Sequence, residues 1–225
     1  MIETVIFDMD GVIIDSEPTH IRIEAQLFEE LGLIVSKEQH ENYIGMSSLD
    51  MWTSLVQERD LKIDPKKIVE TKSKRYLDFL YSDNEFQLVE GVSKVIESLH
   101  AKGNKLVLAS SAAREEIELV LNKSGLKKFF PIVVSGAELE RSKPDPLIFI
   151  TASRLIGTNP QFCCVIEDSE NGVIAAKSSN MKCIGYRNPN SGNQDLSKAD
   201  IIINSFEDFD LSCFPALGKK RFYTE

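Results

Sequence analysis

Val5-Ile6-Phe7-Asp8-Met9-Asp10-Gly11-Val12-Ile13-Ile14-Asp15-Ser16 is an apolar run that climbs to two carboxylates and then turns at a glycine. Its short length and β-branched opening predict a buried strand. Residues at i and i+2 of an extended chain point the same way, so Asp8 and Asp10 are expected side by side at the strand's carboxyl end. That edge is where ligands bind in open α/β sheets. Two like charges so close repel, and the placement calls for a cation or a proton. The plainer alternative is a strand that stops at an Asp-Gly turn.

The whole chain sets bounds on what this stretch can do. Its 225 residues are enough for one domain or one and a half, with ample length for a core. Apolar residues make up 42% and charged residues 27%, the balance of a soluble globular protein. The formal net charge of −9 argues against nucleic acid and against anionic membrane surfaces as partners. An anionic substrate must then be held by a local cluster of positive groups or by a metal ion. The amino terminus has no basic run and carries two aspartates within ten residues, so no signal peptide is expected. No apolar run approaches the ~20 residues of a membrane span. Cys163, Cys164, Cys183 and Cys213 lack CxxC spacing and are read as reduced core residues of a cytoplasmic protein.

Beyond the opening strand, Val12 to Asp15 is expected to continue as a short extended flap. Ser16 then serves as N-cap of a helix with Pro18 in its first turn. Ile21, Ala25, Phe28 and Leu31 follow at helical spacing, and Gly32 suits the stop. The pattern stays helical to about Asp83, with one stripe at Met51, Trp52, Leu55 and Val56. A second stripe, Ile68, Arg75, Tyr76, Phe79 and Leu80, follows a start at Asp64-Pro65. From Gly91 onward, helices alternate with apolar strands at Lys105–Ala109, Ile132–Val134, Phe162–Ile166, Cys183–Gly185 and Ile201–Ile203. Strands separated by helices predict a parallel sheet with helices on both faces. The fold class is therefore α/β, a Rossmann-like core of residues 1–15 and 87–225, with an all-helical cap of residues 16–86 inserted in it. The tail from Gly218, with Lys219, Lys220 and Arg221, is expected to be loosely ordered.

The carboxyl ends of these strands carry the chemistry. The first ends at Asp8 and Asp10, the second at Ser110, and a later one at Glu167-Asp168. The loop after Val134 delivers Lys143-Pro144-Asp145-Pro146. In a parallel sheet these ends converge on one edge. Carboxylates without His or Cys suit a hard cation such as Mg²⁺, which keeps open positions for phosphate. Ser110 and the helix start behind it can donate to phosphate oxygens, and Lys143 adds a point charge. Taken singly, Ser110 reads as an N-cap, Lys143 as a loop lysine and Glu167-Asp168 as a dipole-complementing helix start.

Taken together, Phe7-Asp8-Met9-Asp10-Gly11-Val12 with Asp15-Ser16-Glu17-Pro18, Leu108-Ala109-Ser110-Ser111, Lys143-Pro144-Asp145-Pro146 and Ile166-Glu167-Asp168-Ser169 with Asn171-Gly172 resemble the four motifs of the haloacid dehalogenase superfamily. The resemblance spans nearly the whole chain. It is nearest the helical-cap branch of β-phosphoglucomutase and sugar-phosphate phosphatases. It implies that Asp8 is a nucleophile forming an aspartyl-phosphate, and that Asp10 is general acid and then base. Mg²⁺ is implied at Asp8, the Asp10 carbonyl and Asp168, with Glu167 as a further or supporting ligand. Ser110, Ser111 and Lys143 are implied to hold phosphoryl oxygens.

Dehalogenases of this superfamily lack an aspartate at the place of Asp10, and no lysine near the flap matches the Schiff-base lysine of phosphonate-cleaving relatives. Phosphoryl transfer is thus implied. Between hydrolysis and mutase chemistry the signs divide. Ile44-Gly45-Met46-Ser47-Ser48 has no arginine after Gly45, where mutases grip a distal phosphate, and Arg114 substitutes only in part for a polar run after Ser110. His20 matches a histidine of mutase-like members. The resulting expectation is a monomeric phosphatase of a small phosphorylated metabolite such as a sugar phosphate, with β-phosphoglucomutase-type isomerisation as the alternative.

Overall fold

Thr4–Phe7 forms the opening strand, β1, and all four of its residues are fully buried. The computed structural model describes residues 1–41, 43, 47–82 and 87–214. Five further strands follow in sequence: β2 (Lys105–Ser110), β3 (Ile132–Ser135), β4 (Cys163–Glu167), β5 (Lys182–Tyr186) and β6 (Ile201–Ile203). They pair in the order β3-β2-β1-β4-β5-β6, and every pairing is parallel. β1 is therefore central, covered on both edges and both faces, which is why it reads as a continuous apolar run and not as an alternating one.

The period of two divides the buried residues between the faces. Val5, Phe7, Leu106, Leu108, Cys164 and Ile166 pack with α5 (Val92–Ala101) and α6 (Arg114–Lys123). Ile6, Val107, Ala109, Cys163, Val165 and Cys183 pack with α7 (Leu147–Ile156) and α8 (Glu170–Ser178). Burying one such Val, Ile or Phe side chain contributes about 1.5–3 kcal/mol. The register also sets the site. Phe7 pairs with Leu108 and Ile166, so the next residues along, Asp8, Ala109 and Glu167, stand level at the edge.

Between β1 and α5 lie the cap helices α1 (Glu17–Glu30), α2 (Lys37–Glu41), α3 (Ser48–Glu58) and α4 (Pro65–Tyr81). Fully buried Trp52 sits 5.2 Å from the Phe28 ring, with Leu55, Ile68, Tyr76 and Leu80 in the same apolar cluster. Asp64 caps α4 by accepting from the Lys66 amide at 3.0 Å, as its Asp-Pro start predicts. The two connections between cap and core run side by side. Asp15 N donates to Gln87 O at 3.1 Å, and Val89 N donates to Ile13 O at 2.9 Å.

Four expectations need correction. Residues 11–13 form a turn, not an extended flap, because the Met9 carbonyl collects the amides of Val12, Ile13 and Ile14. The Ser16 side chain makes no capping bond. The inward face of α1 is Ile23, Glu24, Leu27 and Phe28, whereas Ala25 is exposed. A buried carboxylate displaced the apolar stripe by one position. Cys213 is exposed, while the other three cysteines are buried, and all four are free. Gly45 and the basic tail lie outside the described residues.

Candidate active site

The apolar strands end where the sheet's edge meets the cap, and a cavity of about 620 Å³ opens there. Asp8, one residue past β1, is held by its own amide, which donates to Ile166 O at 3.0 Å. Its carboxylate accepts from Lys143 Nζ at 2.5 Å, and the same ammonium donates to Glu167 Oε1 at 2.6 Å. All three side chains are under a tenth exposed. The lysine's charge is fixed from the other side by the Phe149 ring, 5.2 Å away. Burial alone would lower the Lys143 pKa, but Asp8 and Glu167 outweigh it and hold it above the ordinary range.

Glu167 uses both its oxygens. While Oε1 takes Lys143, Oε2 accepts from the Asp168 and Ser169 amides at 3.1 and 3.2 Å and from the Ser169 hydroxyl at 2.9 Å. This close seating explains Gly172 at the start of α8, where a β-carbon would lie 1.9 Å from the Glu167 carboxyl carbon. Gly11 has the same role on the first loop. Its φ is +72°, and a β-carbon there would fall 1.9 Å from Asp168 Oδ2.

Asp8, Glu167 and Asp168 each place a carboxylate oxygen within 4.8 Å of the others, and all three are buried. Burial foremost pushes the Asp8 and Asp168 carboxyls upward, Asp168 to about 8, with the neighbouring carboxylates adding to it. A set of oxygen donors that resists carrying its full negative charge fits a divalent hard cation. Asp10 is also pushed up, first by burial, with the Ser16 hydroxyl and Lys143 pulling the other way. Its Oδ1 is buried and has no hydrogen-bond partner among the described residues.

The structure brings Asp8, Asp10, Ser110, Ser111, Lys143, Asp168 and His20 to the lining of this cavity. Ser110 is buried at the end of β2, and its hydroxyl accepts from the Ala112 amide at 3.0 Å. His20 lies against Tyr76 with ring centroids 4.1 Å apart, and its buried Nδ1 has no partner among the described residues. Burial first, and Lys72 second, lower its pKa to about 3, so the ring is neutral. Arg114 is excluded from the set. It forks onto the Glu138 carboxylate with two bonds of 2.6 Å, outside the cavity lining.

A match to the model of the family described as haloacid dehalogenase-like hydrolase covers residues 5–186. The chain belongs to that family. It is 31% identical over 185 residues to a phosphorylated carbohydrates phosphatase of Thermotoga maritima, covering 81% of this chain and 83% of the relative. It is 30% identical over 204 residues to hexitol phosphatase B of Escherichia coli K12, covering 89% and 90%. A crystal structure of β-phosphoglucomutase from Clostridium difficile superposes with a TM-score of 0.76 at 25% identity, covering 95% of each chain.

Several residues of this hydrolase's cavity gave no motif signal. Ser191, on the loop after β5, donates to Asp168 Oδ2 at 2.5 Å. Nearby Asn188 donates to Gly11 O at 2.9 Å, and Asn190 to Asp15 Oδ2 at 2.6 Å, which ties this loop to the first one. The turn-rich run Asn188-Pro189-Asn190-Ser191-Gly192 is the signal that could have flagged it. From the cap, Lys72 donates to Glu24 Oε1 at 2.5 Å and to Ser48 Oγ at 2.9 Å, while His40 meets the other Glu24 oxygen at 2.6 Å. Glu116, outside every motif, and Glu17, which follows the first one, also line the cavity, and burial foremost raises each to about 7.

Proposed function

We propose that this chain is a Mg²⁺-dependent phosphatase of small phosphorylated metabolites, with a sugar phosphate as substrate and Asp8 as nucleophile. The observation that carries this is a pair of buried carboxylates two residues apart with divided environments. Asp8 is ion-paired to Lys143, while Asp10, which lines the cavity, has its carboxyl pushed up and one buried oxygen without a partner among the described residues. The hydrolase family and two relatives named as phosphatases support hydrolysis of phosphoric monoesters.

In this reading an Asp8 oxygen attacks phosphorus in line, and the bond from phosphorus to the alcohol oxygen breaks. Asp10, protonated beforehand, passes its proton to the departing oxygen. Asp10, now a carboxylate, takes a proton from water as that water attacks the aspartyl-phosphate. Phosphate leaves and Asp8 is regenerated. Ser110, Ser111 and Lys143 hold phosphoryl oxygens. Asp8, Asp168 and the Asp10 carbonyl would hold Mg²⁺, which would shield the nucleophile from the phosphate's charge. Glu167, with both oxygens engaged, supports this set from behind. The cap closes the site from water and selects the substrate.

The four free cysteines support a reducing, cytoplasmic setting, and no helix among the described residues is long and apolar enough to cross a membrane. A mutase of the β-phosphoglucomutase type is the second reading, favoured by the placement of His20 in the cavity. It requires a grip on two phosphoryl groups. Among the described cavity residues the cap offers one lysine, Lys72, already engaged by Glu24. A panel of phosphorylated metabolites assayed for phosphate release with and without Mg²⁺ tests the proposal. Metal-dependent release from at least one sugar monophosphate is expected. No release from any member would defeat it, and glucose 1-phosphate turnover that needs a bisphosphate primer would select the mutase.

A further inference from the structure

Glu116 sits on the core helix α6 and lines the cavity opposite the cap's Glu17 and Lys72. Glu116 is the third residue of α6 after its capping residue Ala113, the position from which a capping-box carboxylate reaches back toward the cap, and the Ala113 backbone pulls its carboxyl pKa down. It has no ion-pair partner among the described residues, whereas Lys72, the cavity's cap-side lysine, is committed to Glu24. Of the charged groups in electrostatic reach of Glu116, Asp10 and Glu115 are negative and Lys72 is positive. A second anionic group entering with a substrate would therefore meet carboxylates with no free cation among the described residues to receive it.

We infer that Glu116 is a specificity residue that rejects substrates carrying a second phosphate or carboxylate and admits those whose remainder is uncharged and hydroxylated. Like-charge juxtaposition discriminates against the wrong ligand more than it strengthens the right one. Burial already pushes the Glu116 carboxyl up to about 7, so a neighbouring anion there would have to bring a proton with it. A protonated or ionised carboxyl accepts from a sugar hydroxyl in either state. This inference rests on the phosphatase reading and deepens it.

The test is calorimetric binding of glucose 6-phosphate and glucose 1,6-bisphosphate, which differ by one phosphoryl group. It is made with Mg²⁺ in an Asp8→Asn background that stops turnover. Adding Glu116→Gln keeps the side chain's shape and removes the charge. At pH 8, one unit above the Glu116 value, the bisphosphate should then bind about tenfold tighter, equivalent to ~1.4 kcal/mol. The monophosphate should move by less than about threefold. Glu115→Gln, an exposed neighbour with the same charge change, should shift neither ligand. Equal shifts for both ligands, no shift for either, or an equal effect of Glu115→Gln would overturn the assignment. Phosphate release by the wild type, measured separately, reports on the phosphatase reading alone.

Discussion

At the core end of the cavity, Lys143 lies between Asp8 and Glu167, and Glu167 and Asp168 are bonded in turn to the Ser169 and Ser191 hydroxyls. At the cap wall, His20 Nδ1 lacks a partner among the described residues and burial lifts the Glu17 carboxyl to about 7, as it does that of Glu116 on the core helix α6. Around Lys143 the core end is a network in which Asp8, Glu167, Asp168 and their serine partners hold one another, with Asp10 Oδ1 left unpaired among the described residues, and such networks position atoms for one chemistry. The cap wall leaves polar groups to be completed by whatever enters. The same molecule thus separates what it does to phosphorus from which alcohol it accepts.

Breaking the core end should cost most. Lys143→Met leaves Asp8 and Glu167 buried without their shared counter-ion, and loss of one partner from such a buried set costs about 3–5 kcal/mol. Urea denaturation in a chelator measures it. A loss below ~1 kcal/mol would mean the network is looser than its geometry. Next comes Ser191→Ala, which frees Asp168 Oδ2. A bond of this supporting kind is worth roughly 10–100-fold in metal affinity, so half-activation should need correspondingly more Mg²⁺ while turnover at saturation changes little. An unchanged Mg²⁺ requirement would detach Ser191 from the metal site.

The smallest effect belongs to the cap. Burial works against the Glu24 carboxylate, but His40 and Lys72 outweigh it and hold its pKa below the ordinary range. Its contribution is therefore fully present above the unfolded value of ~4.3 and is lost as pH falls through the lowered folded value. Glu24→Gln should cost about 1 kcal/mol at neutral pH, since the amide keeps one acceptor. The gap from wild type should close toward acid. Melting curves from pH 7 to pH 3 measure it, and a constant gap would refute the linkage.

This contrast also marks how far the chain could be read without coordinates. The parallel sheet and the core end, though not the order of the strands, were legible because apolar runs stop at Asp8, Ser110 and Glu167, and a parallel sheet gathers such ends. Lys143 was legible for the same reason. The tie between the loop after β5 and the first loop was not: Asn188 reaches Gly11 across 177 positions, and neither residue ends an apolar run that would place it there. On the cap, Glu24 lies outside the stripe Ile21, Ala25, Phe28 and Leu31 read for α1, and only the arrival of Lys72 and His40 from other helices makes its burial affordable. Ser16 follows the N-cap pattern, yet its hydroxyl stands beside Asp10 instead.

The most direct test of the proposed role of Asp8 as nucleophile is phosphate release from p-nitrophenyl phosphate with Mg²⁺, compared between wild type and Asp8→Asn. The substitution keeps shape and removes the nucleophilic charge. Loss of a covalent nucleophile lowers turnover by up to about 10⁶-fold, and a fall of at least roughly 10³-fold is expected with the fold intact by circular dichroism. A folded Asp8→Asn protein that retains turnover within about tenfold of wild type would contradict the account.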